Sequence, residues 1–266
     1  MKLAVSVVVF QEEITRKQID LKGLIELCRS QGIRGIEFRK NLFRIFEKKV
    51  DEILELLNRE DISSLYATES TLFNRDKDNT GKIIDEIDFT KKLGAKILRV
   101  FPGDINLDDF KKVRLNIISS VQRCLDYANS KGITLVVENT QDIKNGRICF
   151  IKELMEKFSS PMLRVNIDTG NFICIGEDPA KAVSILSKYI GYVHLKDIRK
   201  DLKTKVSYDT YIGGGEIDFP GVMNKLQQTN YEGFLCLEFD GKGHGIEAVR
   251  KSVSYLKKIC GKGLKI

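Results

Sequence analysis

The sequence predicts a (β/α)8 barrel, the TIM barrel, built as one domain over residues 1–266. Short β-branched runs alternate with amphipathic helical stretches along the whole chain, the signature of repeated βα units and a parallel sheet. Eight such units can be counted. No Pro/Gly/Ser-rich linker, low-complexity tract or shift of composition marks a second domain. An open, doubly wound sheet is the alternative arrangement of the same units.

The expected strands are, in order, Leu3 to Val9, Gly35 to Phe38, Ile62 to Ala67, Ile97 to Phe101, Thr134 to Glu138, Arg164 to Asp168, Tyr192 to Lys196 and Gly233 to Glu238. Several are almost wholly apolar, as strands covered on both faces should be. Between them, Leu21, Leu24, Ile25 and Cys28 recur at helical spacing, as do Val50, Ile53, Leu54 and Leu57. Each set gives a helix one apolar stripe to lay on the sheet. Gly32, Gly94, Gly132 and Gly191 fall where a helical pattern stops and a strand begins, which predicts left-handed C-caps.

With 42% hydrophobic and 30% charged residues the chain has the composition of a globular protein with a large core. The formal net charge is +7. The basic residues are dispersed in pairs such as Lys48-Lys49, Lys91-Lys92, Lys111-Lys112 and Lys257-Lys258, and are densest from Arg199 to Lys205. Most fall on expected outer helices, so a solvated surface is predicted rather than a nucleic-acid partner. The six cysteines form no C-x-x-C pair and are read as free, mostly buried thiols. Neither a cleavable leader nor a membrane-spanning run is legible, so no membrane association and a cytoplasmic location are expected.

In a barrel of this kind the βα loops gather at the C-terminal ends of the strands, and a site is expected there. Glu138 ends strand five, Asp168 ends strand six, His194 lies late in strand seven and Glu238 ends strand eight. Consecutive parallel strands are neighbours, so the four side chains can converge. Each alone is weak: a strand-end carboxylate is as often a partner for a lysine or a helix N-terminus, and a lone histidine is more often a satisfied core residue. Four ligand types at equivalent places in four successive units point instead to one divalent metal ion. Three carboxylates and an imidazole suit Mn²⁺, Co²⁺ or Mg²⁺, and also accommodate Zn²⁺. Lys196, two residues past His194, points to the same side and is a candidate for a substrate hydroxyl or oxyanion, or for a salt bridge with Asp197, Glu238 or Asp168. Glu37 and Arg39 on strand two, and Arg99 and Phe101 on strand four, are further candidates for the pocket wall. His244, just before the last helix, is read as a loop or N-cap residue.

Several motifs accompany this set: Gly35-Ile-Glu-Phe-Arg, Val137-Glu-Asn, Asp168-Thr-Gly-Asn, His194-Leu-Lys-Asp, Gly213-Gly-Gly-Glu-Ile-Asp, and Tyr231-Glu-Gly-Phe followed by Leu237-Glu. Over nearly its whole length the chain resembles the xylose isomerase-like superfamily, particularly its sugar isomerases and epimerases. The resemblance implies that Glu138, Asp168, His194 and Glu238 bind the metal and that Glu138 and Glu238 flank the substrate as acid and base. A homo-oligomer is also implied. Where the epimerases often carry His or Pro two residues after the first glutamate and His three after the aspartate, this chain has Thr140 and Asn171, the latter a candidate substrate contact.

The expected chemistry is isomerisation or epimerisation of a keto-sugar or related polyol, by proton transfer through an enediolate between the two glutamates. The alternatives are a dehydratase acting on a keto-inositol and a non-catalytic sugar-binding barrel. A DNA-repair nuclease with this barrel would need several histidines for a multi-zinc cluster, and the chain has 2.

Overall fold

A computed structural model describes residues 1–43, 46, 49–74, 78–104, 115–201 and 207–261. Its strands are β1 (Lys2–Ser6), β2 (Gly35–Arg39), β3 (Ser63–Phe73), β4 (Ile97–Gly103), β5 (Thr134–Glu138), β6 (Leu163–Asp168), β7 (Ile190–Leu195), β8 (Asp197–Lys200), β9 (Ser207–Thr210) and β10 (Phe234–Leu237). Eight of them close into a barrel in the order β1-β10-β7-β6-β5-β4-β3-β2. Every neighbouring pair in it is parallel. The remaining two, β8 and β9, form an antiparallel hairpin inserted between β7 and β10.

The barrel has two apolar layers. Leu3, Val5, Ile36, Leu98, Leu135, Val165 and Leu235 are among the strand residues that face outward into the main core shared with the helices. Ala4, Leu65, Val136, Tyr192 and Cys236 form a separate buried cluster inside the barrel. Side chains two residues apart on a strand share a face. The inward positions next above Val136, Tyr192 and Cys236 are therefore Glu138, His194 and Glu238, so the apolar plug is the floor of the polar mouth.

Local sequence explains the helices. Asp20 caps Leu21–Gln31 by accepting from the Gly23 N–H at 2.9 Å, and Leu21, Leu24, Ile25 and Cys28 are all buried. Gly32, Gly94 and Gly132 adopt φ of 75°, 66° and 68°, as their expected role as left-handed caps requires. Gly191 differs. It lies within β7, where an added Cβ would stand 2.6 Å from Cβ of Arg164, so a close approach of strands and not a cap demands the missing side chain.

The strand boundaries depart most from expectation at the ends of β1 and β3. Val7–Phe10 leaves β1 as a 3-10 turn, where the Ser6 hydroxyl accepts from Val8 N–H. At the other side β3 continues to Phe73 through an irregularity between Ala67 and Thr71. Among the described cysteines none is bonded, and Cys149 and Cys174 are exposed. Residues 202–206, in the basic stretch, and Lys48, Lys111 and Lys112 lie outside the described residues. No described helix is long and apolar enough to cross a membrane.

Candidate active site

Strand register brings the site together before any side-chain contact is considered. Asp168 pairs with His194 across β6 and β7, Cys236 pairs with His194 across β10 and β7, and Glu138 pairs with Asn166 across β5 and β6. Ligand atoms of Glu138, Asp168 and His194 lie within 4.8 Å of one another. Glu238, one residue past β10, completes the group: its Oε2 is 3.5 Å from His194 Nδ1, while Glu138 Oε2 is 2.9 Å from the same nitrogen.

The donor atoms facing this centre are short of partners. Asp168 Oδ2, His194 Nδ1 and Glu238 Oε2 are buried and make no hydrogen bond. Lys196 Nζ lies 3.0 Å from Asp168 Oδ2 and 2.9 Å from Glu238 Oε2, a charge pairing that puts a cation beside both carboxylates. Unpaired buried donors and acceptors of this kind are costly unless something else meets them. Two carboxylates and one imidazole within 4.8 Å of one another, with the Glu238 carboxylate 3.5 Å from the same imidazole nitrogen, fit a divalent cation.

A second layer fixes the first. Glu37 was expected at the pocket wall; it lies behind His194, fully buried, with Oε2 2.8 Å from Nε2. That contact turns Nδ1 toward the carboxylates. Tyr192 packs edge-on against the imidazole at 4.9 Å. Asn166 Nδ2 donates to Glu138 Oε2 at 2.7 Å, and Arg99 Nε lies 3.2 Å from the same oxygen. Arg39 Nη2 donates to Glu238 Oε1 and is 3.3 Å from Glu37 Oε1.

The strand ends are tied sideways by the residues that follow the acids. Asn139 Nδ2 donates to the Asp168 carbonyl at 3.0 Å and its Oδ1 accepts from the Asp168 N–H at 2.8 Å. Thr169 Oγ1 donates to the Lys196 carbonyl at 2.8 Å and accepts from the Lys196 N–H at 2.9 Å. Gly170 then leaves the room Lys196 needs, since a Cβ there would meet the lysine Cγ at 2.7 Å. The Asp-Thr-Gly-Asn motif thus supplies a carboxylate to the cluster, a strand tie, a space for lysine and a wall residue. Asn171 donates its side-chain amide to the Asn139 carbonyl at 2.8 Å and accepts from Gln141 at 3.1 Å.

Burial and charge shape the electrostatics. Burial pushes Asp168 up to about 7, against the opposing pull of Lys196. Burial alone would raise Glu238 too, but Lys196, His194 and Arg39 outweigh it and hold the carboxyl well below its ordinary range. Burial alone would lower His194, and the carboxylates of Glu37, Glu238 and Glu138 instead raise it well above the usual imidazole value.

Above the cluster opens a cavity of about 400 Å³ whose wall includes Arg39, Arg99, Glu138, Asn171, Lys196 and Glu238. Of the residues expected at the site, Arg39, Arg99, Phe101, Asn171 and Lys196 reach this wall together with the two glutamates, whereas Glu37, Asp168 and His194 do not. Asn166 was not singled out from the sequence, and Asn139 and Thr169 appeared only as motif members without a role. The one signal for Asn166 is a polar residue at an inward position of an otherwise apolar strand, two before Asp168.

The sequence profile of the xylose isomerase-like TIM barrel matches residues 25–259. The chain belongs to this family. An inosose dehydratase of Clostridium perfringens is 27% identical over 89% of this chain and 90% of its own length. Another inosose dehydratase, from Clostridium tetani, is 33% identical over a shorter stretch, 41% of this chain and 42% of its own. Among solved structures, the IolI protein with a bound zinc atom superposes with a TM-score of 0.80 at 17% identity over the full length of both chains. The D-allulose 3-epimerase of a Methylomonas species superposes at 0.73 with 16% identity, covering 97% of this chain and 96% of that one. At such identities these likenesses speak for the fold of this family member.

Proposed function

We propose that this chain is a metal-dependent dehydratase of a keto-polyol of the inosose type. The observation that carries the reading is the clustering of Glu138, Asp168 and His194, with Glu238 beside the imidazole, three of the four having a buried donor atom that makes no hydrogen bond, below an open cavity. Elimination moves ahead of the isomerisation expected from sequence because relatives matched over nearly their whole length bear the dehydratase name.

Glu138, Asp168, His194 and Glu238 would hold the ion, Mn²⁺, Co²⁺, Mg²⁺ or Zn²⁺. When bound it would polarise the substrate carbonyl, acidify the neighbouring C–H and offset the carboxylate field around Lys196. Glu238, kept ionised by its neighbouring cations, removes the proton from the carbon beside the carbonyl. The electron pair of that C–H bond forms a C=C bond and expels the hydroxyl on the next carbon. Lys196, on the cavity wall, gives this leaving hydroxyl a proton, so that it departs as water. Glu238 Oε2 lies 2.9 Å from Lys196 Nζ, so the proton it took returns to the amine and the pair is reset. Arg99 and Asn171 line the same wall and orient the remaining hydroxyls.

The test is incubation of metal-loaded protein with a keto-inositol in deuterated water, read by mass spectrometry. A product lighter by one water is expected. Deuterium uptake at unchanged composition would overturn elimination in favour of the isomerase or epimerase reading.

A further inference from the structure

Two side chains of the cavity wall take no part in the polar cluster. Among the described residues of that wall the apolar ones are Val8 and Phe101. Val8 stands on the 3-10 turn that leaves β1, and Phe101 on β4, three strands away in a ring of eight, so the two lie on nearly opposite sides of the mouth. Polar side chains fill both arcs between them. On the shorter arc stand Arg39 of β2 and Glu69 of β3; on the longer, Glu138, Asn171, Lys196 and Glu238 stand at or just past the ends of β5, β6, β7 and β10.

The Phe101 ring is fixed from below. The Arg99 guanidinium stacks on one face, with Cζ 4.2 Å from the ring centroid. Arg99 is itself buried, donates Nη1 to the Thr68 carbonyl at 2.8 Å and sets Nε 3.2 Å from Glu138 Oε2. One face is therefore taken, and the half-buried ring offers the cavity its other face and its rim. A single guanidinium also registers this platform to Glu138. An aromatic face and an aliphatic side chain across from it bury C–H surface, whereas the charged and amide groups on the arcs meet hydroxyls. An open-chain polyol carries hydroxyls along its whole length and cannot sort them between such walls. A ring with equatorial hydroxyls does so by its shape: its faces are C–H surface and its rim is hydroxyl.

From this we infer that the cavity is a slot for a cyclic polyol, whose faces are gripped between Phe101 and Val8 and whose rim of hydroxyls, with the carbonyl, is turned to the polar arcs. Phe101 is then the residue that selects a ring over an open chain. The inference deepens the proposed function and rests on it, because it takes this cavity as the seat of the substrate.

The experiment is calorimetric titration of metal-loaded protein with scyllo-inositol, a ring whose hydroxyls are all equatorial, and with glucitol, an open chain with the same number of hydroxyls; neither carries the ketone needed for reaction. Wild type is expected to bind the ring about tenfold more tightly than the chain. Phe101→Ala is expected to lower affinity for the ring about tenfold and to leave that for glucitol within about threefold, while Phe101→Tyr, which keeps the aromatic face, retains the preference. Each variant is checked for metal content, because Phe101 packs on the arginine beside Glu138. Equal affinities in wild type, binding of neither ligand, or equal loss of both in Phe101→Ala with its metal retained overturns the inference. Should Phe101→Ala lose its metal, Val8→Thr carries the same comparison, since it sets a hydroxyl against one face of the ring at nearly constant volume: selective loss of the ring supports the slot and an unchanged preference overturns it. Turnover keeps the two readings apart. No water loss from a keto-inositol by protein that prefers the ring would count against dehydration and leave the slot standing, whereas water loss without a ring preference would do the reverse.

Discussion

Glu37 never touches the cavity, yet its contact with Nε2 of His194 sets which imidazole nitrogen faces the carboxylates. Replacing a partner of this kind behind a ligand costs about 10–100-fold in metal affinity. Glu37→Gln is therefore expected to bind a divalent ion about that much more weakly with its fold intact, measured by metal titration alongside circular dichroism. Acidity acts on the same group. Asp168 is pushed up to about 7 by burial, whereas an unfolded aspartate titrates near ~3.9. The metal-free native chain thus keeps a proton that the unfolded chain loses, so this residue's contribution to stability is full below about pH 4 and is lost as pH rises through about 7. A metal needs both groups deprotonated, so affinity is expected to fall about a hundredfold per pH unit below 7, where Asp168 and His194 each hold a proton, and to rise about tenfold per unit just above 7, where His194 alone still holds one. A flat affinity between pH 5 and 8 would contradict the buried arrangement. The four presumed ligands were legible because each stands at a strand end. Glu37 was read as a pocket-wall candidate, since alternation gives no depth along the barrel, and Asn139 and Thr169 were legible only as motif members without a role, because their partners lie on neighbouring strands.

At the scale of elements, the segment after β7 is organised around one buried carboxylate. Asp197 is fully buried, and its carboxylate accepts from the N–H groups of Ile198 at 3.0 Å, Gly213 at 2.9 Å, Gly215 at 2.8 Å and Ile217 at 3.3 Å. One side chain thereby folds the Gly213-Gly-Gly-Glu-Ile loop back beneath the β8–β9 hairpin, next to Lys196. Asp197→Ala leaves these donors unmet, at a cost of about 2–4 kcal/mol, which lowers Tm by roughly 5–12 °C in a domain of this size. A thermal melt checks it, and an unchanged Tm would show that solvent meets those donors. The motif was visible in the sequence as a glycine cluster and as an aspartate after His-Leu-Lys; their pairing was not, because a hairpin intervenes. The hairpin itself escaped the strand count, which looked for runs of apolar residues, whereas β8 and β9 are mostly polar.

Across the whole molecule the eight-unit count, the parallel order and the placement of the site at one end of the barrel were legible, because each follows from periodicity repeated along the chain. What the barrel does with its mouth was less so: the same constellation serves isomerisation and elimination, and names of relatives tipped the balance. A metal held by the four proposed ligands would tie the barrel's closure to occupancy. Ligand that binds only the folded state stabilises it by about 2.7 kcal/mol at a hundred times Kd, so chelation is expected to lower Tm by roughly 5–10 °C. The most direct test of the account is elemental mass spectrometry of purified wild type and His194→Ala after mild metal reloading. About one divalent ion per wild-type chain, lost in the variant, is the predicted result; no stoichiometric metal in wild type, or equal metal in both, would contradict it.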